Sequence, residues 1–322
     1  MNWALFRYDV RRDVRNCALF LFLFYAFNLI VSFVIEIVMV VRQFSGGFLS
    51  DFLNTSGDLT GVLTDGKTLA LISIVGIIAG SLAFVIYRKK RFFTDIALPS
   101  MERLKPSIFI ILVVATQGVQ YVTGLIAGLV ETILPEGVSI IGNYESTIEI
   151  LFTPVGLLYV VLIGPIFEEL IFRGAILGSL RKYGDNFAIL FSALFFGLYH
   201  AIILQMPFAF VMGLVLGYAG THWSLRTSIA LHIISNGLSV LISYEAFAIP
   251  GGFGLFLCAV VTLILAIALR RPLAARIRAG APYYGRVTYE NGFSSIAFWL
   301  FAAAMIGLAF VQLLATPLPV LS

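Results

Sequence analysis

Charge is scarce in this sequence: only 12% of its 322 residues are Asp, Glu, Lys or Arg, about half the share usual in soluble domains. With 60% hydrophobic residues and a mean hydropathy of +1.00, that scarcity excludes an ordinary soluble domain and a disordered chain alike. Cysteine occurs twice, at Cys17 and Cys258, which excludes a disulfide framework and leaves two thiols of the inert, buried kind. Histidine occurs three times. There is no His-Glu-x-x-His, no Gly-x-Ser-x-Gly and no pair of aspartates inside the apolar runs. Internal repeats, low-complexity tracts and nucleic-acid-binding signatures are missing as well.

What the chain has is apolar length. Nine hydrophobic runs, at about 17–41, 68–87, 107–130, 151–178, 187–203, 207–223, 227–246, 252–269 and 295–314, are long enough to cross or nearly cross a bilayer. They predict an all-α, polytopic helical membrane protein forming a single membrane domain over residues 1–322. The first run extends too far, without a small-residue cleavage site, to be a signal peptide, so it is read as a retained span. With the N-terminus in the cytoplasm, 18 of the 21 Lys and Arg fall in cytoplasmic segments, Arg42 and Lys67 fall outside and Arg173 lies within a span. That lopsidedness predicts an external C-terminus; the expected location is a cell membrane, of a bacterial kind. It also accounts for the net charge of +4 through topology and anionic headgroups rather than nucleic acid. The external loops 43–67 and 131–150 are long and carry candidate short surface helices.

Inside the fourth run stands Gly164-Pro165-Ile166-Phe167-Glu168-Glu169-Leu170-Ile171-Phe172-Arg173-Gly174. Three ionisable groups within six residues at membrane depth, each costing about 2.5–3.5 kcal/mol on insertion scales, point to a function. Glu169 and Arg173, Phe196 and His200, and His232 and Asn236 are each four apart, so each pair shares a helix face. Glu168 sits about 100° around the helix from Glu169. One carboxylate is therefore free to face a cavity while the other forms a structural ion pair with Arg173. Spans four and five form a hairpin whose turn, at Arg181 to Asn186, is centred on position 184, midway between Glu168 and His200, so these two share a depth. His232 lies nearer the cytoplasmic surface, which requires the turn at Leu225-Arg226 to dip inward. Gly213, Gly217 and Gly220 give span six a face for close packing.

Glu168-Glu169-x-x-x-Arg173, Phe196-x-x-x-His200 and His232-x-x-x-Asn236, in that order on successive hydrophobic segments, resemble the signature of the CAAX protease and bacteriocin-processing family, also called CPBP or Abi. The resemblance covers 151–246; the first three and last two spans match nothing in it. It implies a conical or bundle-like catalytic core, an intramembrane endopeptidase, and a membrane-associated or lipidated peptide as partner within the lipid bilayer, prenylation being inherited only from the family's name. Oligomeric state is not legible.

Residue chemistry suits that implication. A sheltered Glu168 can deprotonate water, with His200 orienting or sharing it; His232 and Asn236 can supply donors to an oxyanion; Glu169, Arg173 and Phe196 support them. No cofactor is preferred. Zinc stays a candidate, with Glu168, His200 and His232 as its ligands, because the family is often labelled metalloprotease; against it, Asn236 is a poor zinc ligand and no compact zinc motif is present. Two rival readings are a non-catalytic scaffold or immunity factor, in which the six polar residues form one satisfied network, and a proton-coupled transporter, for which Glu36 in span one would serve. His222 reads as interfacial.

Overall fold

The computed structural model describes residues 3–44, 66–88, 103–135, 137–149 and 153–315. It is all-helical, with no strand among those residues. In chain order the helices are α1 (Trp3–Phe44), α2 (Gly66–Arg88), α3 (Pro106–Glu131), α4 (Ile140–Glu149), α5 (Pro154–Tyr183, a continuous but irregular helix), α6 (Asp185–Tyr199), α7 (Gln205–His222), α8 (Leu225–Ser243), α9 (Glu245–Ala268), α10 (Arg270–Ala279), α11 (Arg286–Phe293) and α12 (Ile296–Ala315).

Each of the nine expected spans coincides with a helix, α1 to α3, α5 to α9 and α12. Six of these, α1, α3, α5, α8, α9 and α12, contain a stretch long and apolar enough by itself to cross a membrane, among the described residues. The apolar part of α2 and all of α6 are shorter. Large side chains such as Leu29, Ile30, Phe33, Phe253 and Leu263 stand exposed on the outer faces, where lipid rather than water is the compatible solvent. This is a helical membrane protein. Of the two long loops, 131–150 carries the short helix α4; the surface helix expected within 43–67 and the side chain of Glu36 lie outside the described residues.

Packing explains how the site-bearing helices are held. α6 and α7 lie against each other most closely, and small residues allow it. A β-carbon at Gly213 would sit 3.0 Å from Ala193 Cα, and one at Gly197 would sit 2.8 Å from the Met206 carbonyl, so neither position tolerates one without a shift. The α5–α6 hairpin turns at Gly184, which has φ +121 and packs on Pro282. Phe172 meets Phe196 with ring centroids 5.1 Å apart, and Ser192 Oγ donates to the Phe172 carbonyl at 2.8 Å, a register centred on that same turn. Phe172, Phe187, Phe191, Phe195, Phe196 and Phe301 are buried and build an aromatic core between α5, α6 and α12.

The hairpin's turn is clamped from both ends of the chain. Asp13 on α1 accepts a hydrogen bond from the Tyr183 hydroxyl (2.7 Å) and pairs with Lys182 (2.6 Å). Arg11 donates to Ser294 Oγ, and the Asn186 amide nitrogen donates to the Gly280 carbonyl. The turn is thereby fixed relative to α1, α10 and α11, which lie outside the segment carrying the motifs.

α5 departs from a regular α-helix. Residues 159–163 and 170–177 wind as π-helix, the Gly164 amide bonding back to the Tyr159 carbonyl five residues earlier. For the first stretch the cause is local: Pro165 has no N–H, so the ladder breaks there, and the wider turn absorbs the break. With the i to i+5 register in force, the Val160 carbonyl faces Pro165 and has no amide to accept from. Asn236 on α8 fills that gap, its Nδ2 donating to Val160 O at 2.9 Å.

Candidate functional site

Glu169 is the most enclosed member of the motif set, with no exposed side-chain surface. Its carboxylate accepts from Arg173 Nη1 at 2.7 Å, from Ser228 Oγ at 2.5 Å and from His232 Nδ1 at 3.0 Å. Three charge-assisted or short bonds saturate it. The expected ion pair with Arg173 therefore forms, even though α5 is π-wound on its Arg173 side. Arg173 is in turn held by Nη2 donating to the Gly213 carbonyl (3.2 Å) and by its guanidinium lying 4.3 Å from the Phe196 ring centroid. Its Nε is buried without a partner.

Glu168 differs in every respect. Its side chain keeps 13% exposure, and its closest ionic approach among the described residues is His232 Nε2 at 3.7 Å, too long for a hydrogen bond. One carboxylate is locked into the fold and its neighbour is left open, as the 100° offset between them requires.

The histidines come from two other helices. The ordered part of α6 stops at Tyr199, earlier than the span limit of 203, and His200 occupies the position after it. Nδ1 of His200 lies 2.8 Å from the Phe196 carbonyl. A carbonyl only accepts, so Nδ1 carries the proton and Nε2 presents a lone pair. His200 packs edge-on against Phe196 (4.8 Å), and Phe196 in turn meets the His232 ring at 5.7 Å, so this phenyl ring spaces the two imidazoles. His232 is buried, and the turn before α8 does run inward: Trp223, Leu225, Thr227 and Ser228 are buried with only Arg226 exposed between them. Because His232 Nδ1–H is given to Glu169, Nε2 is a donor only when the ring is doubly protonated.

Glu168, Glu169, Arg173, Phe196, His200 and His232 are thus brought into one cluster by α5, α6 and α8. Asn236 lies on the same face of α8, but one of its two N–H groups is spent on Val160. His222 sits elsewhere, stacked on Tyr218 with centroids 4.1 Å apart. Glu168, His200 and His232 do not close on a common point: among the described residues no group of three His, Cys, Asp or Glu is placed to hold a metal ion. As placed, this donor set does not fit zinc.

Ser228 is a member that sequence reasoning passed over. The signal was there, since Ser228, His232 and Asn236 recur every four residues on α8. Tyr25, Tyr159 and Tyr199 are further additions. Tyr25 on α1 donates its hydroxyl to the Tyr199 carbonyl, and both lie, with Tyr159, within electrostatic reach of Glu168.

Beyond His200 the backbone is strained. Ala201 is buried with φ +49, a left-handed conformation costing a non-glycine residue about 1–3 kcal/mol. Replacing Ala201 by Gly is expected to leave thermal stability in detergent near that of the parent, relief of strain offsetting the extra chain entropy. Ala201→Val, β-branched at a left-handed buried position, is expected to lower it by about 2 kcal/mol. Parallel melting curves of the two variants check this.

Residues 150–238 match the family model described as type II CAAX prenyl endopeptidase, Rce1-like. No curated protein and no solved structure matches the chain. The matched segment runs from just before α5 to two residues past Asn236 and holds every motif residue of the cluster. The three motifs and the family model thus fall on the same residues, and this segment is similar to type II CAAX prenyl endopeptidases of the Rce1-like kind.

Proposed function

We propose that the protein is an intramembrane endopeptidase that hydrolyses peptide bonds of membrane-associated or lipidated substrates, with Glu168 as general base for the attacking water. The observation that carries this reading is the division between two adjacent carboxylates. Glu169 is saturated by Arg173, Ser228 and His232, and Glu168 stays open, 3.7 Å from the His232 imidazole. A scaffold needs only the first arrangement and gives no reason for the second. His200 Nε2, a lone-pair acceptor set by the Phe196 carbonyl, orients the water for Glu168. His232, as imidazolium, and the remaining N–H of Asn236 face the developing oxyanion. Glu169 holds the His232 ring; Arg173 and Phe196 hold Glu169 and the histidines apart.

Residues 151–246 are the catalytic core of a single membrane domain on this reading. The basic segments place the N-terminus and the α5–α6 turn on the cytoplasmic side, from which the substrate enters. A peptidase assay of purified protein in lipid, against a mixture of lipidated and unlipidated peptides, tests it: cleavage is expected for peptides that partition into the bilayer, and a wild-type protein inert toward all of them refutes it. Prolonged chelation is expected to leave cleavage largely intact. Stoichiometric zinc whose removal abolishes turnover would overturn the metal-independent form of the mechanism.

A further inference from the structure

The tetrahedral intermediate of peptide hydrolysis carries a full charge on one oxygen, and two donors normally meet it. The two residues placed for this are partly committed: His232 gives Nδ1–H to Glu169, and Asn236 gives one N–H to Val160. The same π-turn that engages Asn236 displays another donor. Tyr159 opens that turn, its carbonyl accepting from the Gly164 amide. Gly164 is where its ring and Glu168 come together: a β-carbon there would lie 3.8 Å from Tyr159 Cε2 and 3.8 Å from Glu168 Oε1. The ring edge and the open carboxylate therefore border the same point on α5 and lie no farther apart than the sum of those two distances.

The Tyr159 hydroxyl makes no hydrogen bond to any described residue, and unlike Arg173 Nε or Gln117 Oε1 it is not sealed inside packed protein. A tyrosine in a membrane helix with its hydroxyl unpaired but accessible is expensive unless something polar visits it. We propose that Tyr159 is a catalytic residue of this site, its hydroxyl donating a hydrogen bond to the oxyanion formed when water, deprotonated by Glu168, adds to the scissile carbonyl. Carbon–oxygen bond formation shifts the carbonyl electron pair to oxygen, where the phenol holds it; no proton is transferred from Tyr159. Collapse restores the carbonyl, and the amine leaves with the proton Glu168 had taken. This role rests on the peptidase reading above and places one more reacting contact on α5, at the break that Pro165 imposes.

Tyr159→Phe keeps the ring and removes only the donor. In lipid, kcat is expected to fall about 100-fold with KM little changed, as for an interaction made in the transition state alone. Melting temperature should be unchanged. A second measurement needs no turnover: a phosphinate peptide, whose tetrahedral anionic centre imitates the intermediate, should bind Tyr159→Phe about 10- to 100-fold more weakly than the parent, while the matching uncleaved substrate peptide binds both equally. Parental kcat in Tyr159→Phe, or equal phosphinate affinity, overturns the assignment and leaves the peptidase reading standing. A wild-type protein that neither cleaves peptides nor binds the phosphinate removes both.

Discussion

Replacing Glu168 by Gln is expected to lower peptide cleavage by two or more orders of magnitude while leaving the fold intact. Gln matches Glu in size and in the outline of its terminal group, and it differs in the one property a general base needs, the ability to take a proton. The surroundings make the comparison clean. Glu168 forms no close ion pair among the described residues, its approach to His232 being 3.7 Å, so losing its charge breaks no buried bond. The stability change should stay within about 0.5 kcal/mol, as for substitutions away from packing or pairing features. Cleavage and melting temperature measured on the same preparation separate the two effects. A Glu168→Gln protein that cleaves like the parent, or loses activity only in step with lost folded protein, shows that Glu168 is not the base and moves the scaffold reading ahead.

Much of this site was readable because it rests on short-range periodicity. Four-residue spacing on one face gave the Glu169–Arg173 pair, and the position of the turn gave the α5–α6 hairpin register that pairs Phe172 with Phe196. Contacts between distant helices were less legible. That His232 Nδ1 bonds Glu169 depends on how α8 rotates against α5, and nothing within either helix fixes that angle. The π-turns were missed for a different reason: a proline in an apolar run announces a broken ladder, but not whether the helix kinks or widens. Once Tyr159–Ile163 widens, the orphaned Val160 carbonyl and its pairing with Asn236 follow. The number of crossings is the coarsest quantity. α6, at 15 residues, is mostly apolar after Asp185 and Asn186 yet short of a full bilayer, and its companions in the bundle rather than its own length decide how it sits.

The second large effect belongs to stability. Glu169→Gln leaves the Arg173 guanidinium buried with a neutral partner, and breaking such a pair typically costs about 3–5 kcal/mol, so a marked fall in melting temperature is expected. Arg173→Met should cost a similar amount by stranding the Glu169 charge, although Ser228 and His232 remain to share it. The double change Glu169→Leu with Arg173→Met removes both charges at once, and much of the lost stability should return, because an apolar pair of similar volume avoids the desolvation that the ion pair must offset. Activity should not return with it. In the double variant His232 Nδ1 has no carboxylate to donate to, so the ring loses its fixed orientation. Melting curves and cleavage rates for the three proteins thus divide the pair's two roles. Recovery of stability without recovery of turnover assigns Glu169 to positioning His232, whereas recovery of both would reduce the pair to architecture.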